Sequence, residues 1–149
     1  MYDYSAEVIS CTDGDTVRFR VDQGFGNYHA PKAGFRLAGI DCPEKNDARP
    51  EVRKKAAEAA RFVQERLQPQ GSAAPVVRIL THKPEPSDKY GRWQADVYYA
   101  PAADANGKKA DQLPPPPAAP WRFLNQELVD ARLAKPYSGG QRSWTDDAE

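Results

Sequence analysis

The sequence predicts a mainly β, α+β fold: a small closed sheet of five strands with two or three flanking helices, in the order β-β-β-α-β-β-α. Three observations carry this. Short runs alternate apolar with polar residues between turn signals, most clearly Val17, Phe19 and Val21 against Thr16, Arg18 and Arg20. Only two long stretches repeat apolar residues at helical spacing, one after residue 50 and one after residue 120. The length of 149 residues, 40% hydrophobic and 28% charged, is that of one domain (1–149) with enough chain to bury a core.

In chain order, residues 7–12 form the first strand, with β-branched Val8 and Ile9, and Asp13-Gly14-Asp15 is a hairpin turn. Turn chemistry accounts for Asp13 but leaves a second acid, Asp15, at the mouth of the next strand, 16–21. Residues 24–34, with three glycines and Pro31, are a loop returning the chain to a third strand, 35–40. That strand ends at Pro43, which has no N–H for a ladder and favours an extended backbone at Cys42. Residues 45–49 are a polar loop. Pro50 suits the first position of a helix, in which Val52, Ala56, Ala59, Ala60, Val63 and Leu67 share one face. Arg53, Lys54, Lys55 and Arg61 fall on the opposite face and are read as solvated.

Residues 76–80 give the fourth strand, and 81–90 a loop. Residues 91–99 give the fifth strand, with Trp93, Ala95, Val97 and Tyr99 inward. Residues 101–120 are rich in Ala and Pro, including Pro114–Pro117. They are expected to be an exposed polyproline-type insertion without helix or ladder, one that a proline-reading module could bind. Trp121, Leu124, Leu128 and Ala131 mark a second helix that Pro136 ends, and Ser143 to Asp146 begin a third. Three strands, a helix, two strands and a helix are the succession of an OB-type barrel, a fold whose faces and loops hold oligonucleotides. Fold alone does not fix function.

Bulk properties exclude several classes. Lys+Arg and Asp+Glu are both 21, so a polyanion partner must be held by a local site rather than by a global field. Cys11 and Cys42 are too few and too far apart for a metal knuckle or a disulfide framework. No run is long and apolar enough to span a membrane, and residues 1–5 lack the regions of a signal peptide. The chain as given is expected in the cytoplasm, as a monomer.

The most informative stretch is Phe35-Arg36-Leu37 running into Ile40-Asp41-Cys42-Pro43-Glu44. Two acids and an arginine around one strand end repel or pair to no purpose unless a metal ion and a phosphate bridge them. A set of carboxylates and a carbonyl is hard-oxygen and suits calcium better than zinc. An arginine fork matches two phosphate oxygens.

Taken in order, Asp13-Gly14-Asp15-Thr16-Val17, the 35–44 stretch, Asp88-Lys89-Tyr90-Gly91-Arg92 and the segment from Leu124 to Lys135 resemble the thermonuclease (staphylococcal-nuclease-like) family. The resemblance leaves out only the 24–34 loop and the 101–120 insertion. It implies a calcium-dependent hydrolase, an endo- and exonuclease with DNA and RNA as substrates. Such an enzyme cleaves at the 5′-oxygen to leave 3′-phosphates. It implies Asp15, Asp41 and the backbone carbonyl of Cys42 as calcium ligands, and Glu44 as general base. Arg36 and Arg92 match the grips on the scissile phosphate, while Lys89, Tyr90 and Tyr137 match substrate contacts. The sequence departs from the family at Cys42, where a threonine is usual, and at Arg132, where a helix-ending glycine is usual. Its third helix is almost missing. The alternative is an OB-type module that binds single-stranded nucleic acid without cutting, or a scaffold. Such a domain is expected to have lost several of the acids and arginines that are all present here.

Overall fold

The computed structural model describes residues 2–137 apart from 85, 87 and 89. Five strands close into a barrel: β1 (Tyr2–Asp13), β2 (Thr16–Gly24), β4 (Phe35–Leu37), β6 (Val76–His82) and β7 (Gln94–Ala100). Around the barrel β1 pairs β2, β2 pairs β4, β4 pairs β7, β7 pairs β6, and β6 returns to β1. The β4–β7 step is parallel and the other four are antiparallel. This is the OB-type, mainly β barrel that the sequence predicts, with helices α1 (Pro50–Leu67), α2 (Ala102–Ala105) and α3 (Leu124–Asp130).

The alternation that marked the strands is the alternation of the core. Val17, Phe19, Val21, Phe35, Leu37, Val77, Ile79, Ala95, Val97 and Tyr99 all face inward and are buried. Helix α1 starts at Pro50 and seats Val52, Ala56, Ala59, Val63 and Leu67 against the barrel. Its fit is tightest under the β1–β2 turn. There a Cβ on Gly14 would stand 2.7 Å from the Ala59 Cβ and 3.1 Å from the Cys42 sulfur, so only glycine lets the turn, the helix and the 40s segment meet.

Several expected boundaries move, each for a local reason. The predicted strand 35–40 is two strands, β4 and β5 (Ile40–Asp41), because Gly39 at φ +73° turns the chain between them. Strand β5 pairs with β9 (Lys135–Pro136), so Pro136 lies in a ladder instead of simply ending a helix. The 24–34 loop contains β3 (Asn27–His29), hydrogen-bonded to the end of β2. The first strand begins five residues earlier than expected, at Tyr2, where β6 supplies its partner. Trp93 lies outside β7 and is 43% exposed, although it continues the inward row.

The largest correction concerns residues 101–121. They are not an exposed polyproline excursion: α2 and a 3₁₀ turn at Ala110–Gln112 fold within them. Ala105, Ala110, Leu113 and Trp121 are buried together against Ala100, forming a second small core. The Trp121 indole N–H donates to the Pro114 carbonyl at 2.7 Å, so the proline run is tied inward. Trp121 therefore does not begin the second helix. The chain instead forms β8 (Arg122–Phe123) on the edge of β7 before α3 starts at Leu124. Ala131 lies just beyond that helix, and Arg132 follows in the left-handed region at φ +61°. The expected third helix, from Ser143, lies outside the described residues.

Among the described residues no helix is long and apolar enough to cross a membrane.

Candidate phosphate and metal site

At one end of β2 and β4 a cleft of about 410 Å³ opens between the β1–β2 turn, the 41–46 segment and the 88–92 turn. Among the described residues five carboxylates line it, Asp13, Asp15, Asp41, Glu44 and Asp88, against two cations, Lys45 and Arg92. Arg36 lies beneath, only 1% exposed. The barrel register explains how residues so far apart in sequence meet. Thr16 pairs with Arg36 across β2 and β4, and Arg36 with Gln94 across β4 and β7. The backbone N–H of Arg36 also donates to the Trp93 carbonyl at 3.0 Å, which brings Arg92 alongside.

Arg36 organises the floor. Its Nη2 stands 3.3 Å from Asp41 Oδ1 and 3.5 Å from Asp15 Oδ2. Its Nη1 donates to the carbonyls of Ile40 at 3.2 Å and Leu37 at 3.4 Å. The turn that Gly39 permits is what points those carbonyls at the guanidinium. Asp15 Oδ2 also accepts from the Cys42 N–H at 3.4 Å, which pins the turn aspartate to the segment bearing Asp41. The Tyr137 ring lies 5.7 Å from the Arg36 guanidinium carbon.

Arg92 is held from two sides. Its Nε donates to Asp88 Oδ2 at 3.0 Å, and its Nη1 donates to the Thr16 hydroxyl at 2.9 Å. The Asp88 side chain is 1% exposed and that of Arg92 17%, so this pair is far better shielded than a surface ion pair. Tyr90 presents its ring 5.4 Å from the Arg92 guanidinium and is itself open to solvent.

Glu44 sits exposed at the rim. The loop that follows it is built, not merely polar. The Asp47 N–H donates to the Glu44 carbonyl at 3.2 Å, and Arg49 grips Asp47 with two side-chain bonds of 3.0 Å. Those bonds hold the Asp47 carboxyl down to about 2. Arg53, read from the sequence as a solvated helix residue, donates to the carbonyls of Asp47 at 2.9 Å and Ala48 at 3.0 Å. It fixes the loop behind Glu44.

Of the residues singled out from sequence, Asp15, Asp41, Cys42, Glu44, Tyr90 and Arg92 line one cleft, with Arg36 under it and Tyr137 against Arg36. Lys89 lies outside the described residues. Sequence reasoning missed Thr16, taken only as an outward strand position, and Arg53. It also left Asp88 without a partner, although its spacing of four from Arg92 was a usable signal.

The donor set suits a hard cation. Among the described residues no three His, Cys, Asp or Glu side chains stand together as a complete metal site. Two carboxylates nevertheless converge on one point beside the Cys42 backbone. Burial first, then the negative charges of Asp15 and Asp41, push the pKa of the Cys42 thiol well up. Carboxylate oxygens are the donors a hard cation prefers. Cys42 is buried, only 2% exposed.

The family model described as staphylococcal nuclease homologue matches residues 34–148, well over half of the chain. That span takes in Arg36, Asp41, Glu44 and Arg92 and begins after the β1–β2 hairpin. No curated protein matches the chain.

Proposed function

Because this chain belongs to the family of staphylococcal nuclease homologues, we propose that it is a calcium-dependent nuclease. On this reading it hydrolyses DNA and RNA at the 5′-oxygen and leaves 3′-phosphates. The observation that carries the reading is the convergence of Asp15 and Asp41 on Arg36, with Arg92 on the same cleft wall. An excess of carboxylates repels a phosphate unless a cation sits among them, and two fixed guanidinium groups suit the oxygens of an arriving phosphate.

Asp15, Asp41 and the Cys42 carbonyl would hold calcium, which when bound supplies a Lewis acid beside the phosphate. Glu44, on the open rim, takes a proton from the attacking water. Arg36 and Arg92 present N–H groups to the oxygens on which charge grows at the phosphorus. Their own partners, Asp41, Asp15, Asp88 and Thr16, hold them in place so that little reorganisation accompanies the reaction. Tyr90 and Tyr137 flank the two arginines and bound the space a nucleotide enters. Lys89 is assigned to the neighbouring phosphate.

The test is direct. Plasmid and single-stranded DNA, and an RNA, are incubated with the protein in calcium, magnesium or EDTA, and product ends are identified. Cleavage in calcium, abolished by EDTA and leaving 3′-phosphates, is expected. Binding without cleavage in every condition would assign the chain to the non-cutting modules of the same fold.

A further inference from the structure

A second cavity, of about 290 Å³, opens at one end of the barrel and shares no lining residue with the charged cleft. It arises because the inward rows of three strands run past the core at the same end. On β7 the row Tyr99, Val97, Ala95 is sealed, and the next position, Trp93, emerges at 43% exposure. On β1 the row through Ala6 and Tyr4 ends at Tyr2, which is 64% exposed. On β2 the row after Val21 continues to Gln23. Phe35 and Thr81 form the floor, with Thr81 paired opposite Tyr2 across β1 and β6. His29 and Pro31, from the β3 region, close one side.

Among the described residues no Lys, Arg, Asp or Glu lines this cavity. That separates it chemically from the cleft described above, whose described lining is mostly charged, and makes it a poor site for a phosphate. Large aromatic faces left open to solvent forgo the burial their area favours, and they suit a flat, uncharged ring. Amide, imidazole and hydroxyl groups from Gln23, His29 and Thr81 offer hydrogen bonds to the edge of such a ring. Trp93 ties the cavity to the charged site twice over. It follows Arg92 directly in the chain, and its carbonyl accepts the Arg36 N–H at 3.0 Å.

From this we infer that the aromatic mouth formed by Trp93, Tyr2 and Tyr4 is a base-stacking subsite. It takes an unpaired nucleobase from a nucleotide next to the one whose phosphate lies at Arg36 and Arg92. The inference deepens the nuclease reading and rests on it for the position of that phosphate. It predicts a preference for strands whose bases are free, because a paired and stacked base has no face to offer the aromatic rings.

The experiment uses the full chain with Trp121→Phe and Trp144→Phe, leaving Trp93 as the sole indole, and with Glu44→Gln to preserve the strand. Short single-stranded oligonucleotides are titrated in calcium with Trp93 emission as the signal, against abasic strands of equal length and inorganic phosphate. The intact strand is expected to quench Trp93 and to bind about tenfold more tightly than the abasic one, the scale of one aromatic stack. Trp93→Ala should abolish that preference, read by anisotropy of a labelled strand. Tyr2→Ala should reduce it, and Trp93→Phe should retain most of it. Equal binding of intact and abasic strands by the parent, or a preference that survives Trp93→Ala, overturns the subsite. Because binding is read without cleavage, base-dependent quenching in a protein that never cuts would sink the nuclease reading alone. Cleavage by the Glu44-containing protein without such quenching would sink the subsite alone.

Discussion

Arg92 and Thr16, 76 residues apart, are joined by a hydrogen bond of 2.9 Å from Nη1 to Oγ1. The same hydroxyl faces Asp15 Oδ1 at 3.4 Å, so one threonine links Arg92, proposed to grip the phosphate, to Asp15, proposed to hold the metal. Arg92→Ala should cost about 3–4 kcal/mol of barrier lowering, the scale of one lost oxyanion donor. Thr16→Val keeps the shape and removes the hydroxyl that accepts from Arg92 and donates to Asp15, so turnover should fall by about tenfold, roughly 1.4 kcal/mol. Steady-state kinetics on a defined oligonucleotide, with folding checked by circular dichroism, separates the two. Parent-like turnover in Arg92→Ala would remove Arg92 from the mechanism.

Glu44 and Arg36 call for different variants because their burial differs. Glu44 is exposed, so Glu44→Gln should fold normally and lose roughly 10²–10⁴-fold in turnover while keeping substrate affinity. Arg36→Ala instead strands two shielded carboxylates and should destabilise the fold by about 3–5 kcal/mol. Arg36→Lys is the informative catalytic variant. Its loss should not add to that of Arg92→Ala, because both groups serve one phosphate.

Metal dependence tests the donor set. Asp15→Asn and Asp41→Asn should each raise the calcium concentration for half-maximal cleavage, with a smaller effect on the rate at saturation. Calcium should support cleavage and magnesium little, since magnesium demands near-ideal octahedral geometry. Calorimetry without nucleotide should give an affinity weaker than micromolar. A submicromolar value would mean that ligands beyond Asp15, Asp41 and the Cys42 carbonyl take part.

Asn125 is 2% exposed and fully engaged. Its Oδ1 accepts from the Val97 N–H at 3.0 Å, and its Nδ2 donates to the carbonyls of Ala38 at 2.9 Å and Ala95 at 3.1 Å. It thereby fastens α3 to β7 and to the segment after β4. Asn125→Ala takes this partner from the Val97 N–H and the Ala38 carbonyl, while the Ala95 carbonyl keeps the Ala38 N–H, and should cost about 3 kcal/mol in urea unfolding. A loss under about 1 kcal/mol would mean that water replaces the amide.

Burial pushes the Cys11 thiol up to about 11 from 9.0. A group whose pKa is raised by folding contributes stability that is complete below the unfolded value and lost as pH climbs through the folded one. Stability should therefore decline between pH 9 and 11, and Cys11→Ser should flatten that decline. Tyr99, raised to about 12 by burial and by its bond to Glu127, acts in the same direction above pH 10. Denaturant midpoints at half-unit pH steps measure both.

The barrel was legible because alternation reports a two-sided environment directly, and Val17, Phe19 and Val21 face where their spacing puts them. The cleft residues were legible because resemblance to a known family orders them, whereas periodicity alone would have left Asp15 and Arg36 as unrelated polar positions. Other features were hidden because their causes are tertiary. Gly39 divides a strand only because Arg36 needs the Ile40 carbonyl, and Arg53 is recruited only because a loop folds over the start of α1. The proline-rich segment misled because composition argues against regular structure. It says nothing of Trp121, which gathers the segment's few apolar residues into a core.

That segment leaves the barrel after Ala100 and comes back at Arg122, where Tyr98 and Tyr99 stand opposite Phe123 and Arg122. Its two ends are thus fixed at the spacing of neighbouring strands, about 5 Å, and its apolar residues gather into a small core of their own against Ala100. In architectural terms it is a cassette. A tight turn or an entire guest domain can bridge the same two strand ends, since closure entropy rises only slowly with loop length. The full length of β7 separates this port from Arg92, so the chain can be lengthened, shortened or fused here while the phosphate-facing end of the strand stays where it is.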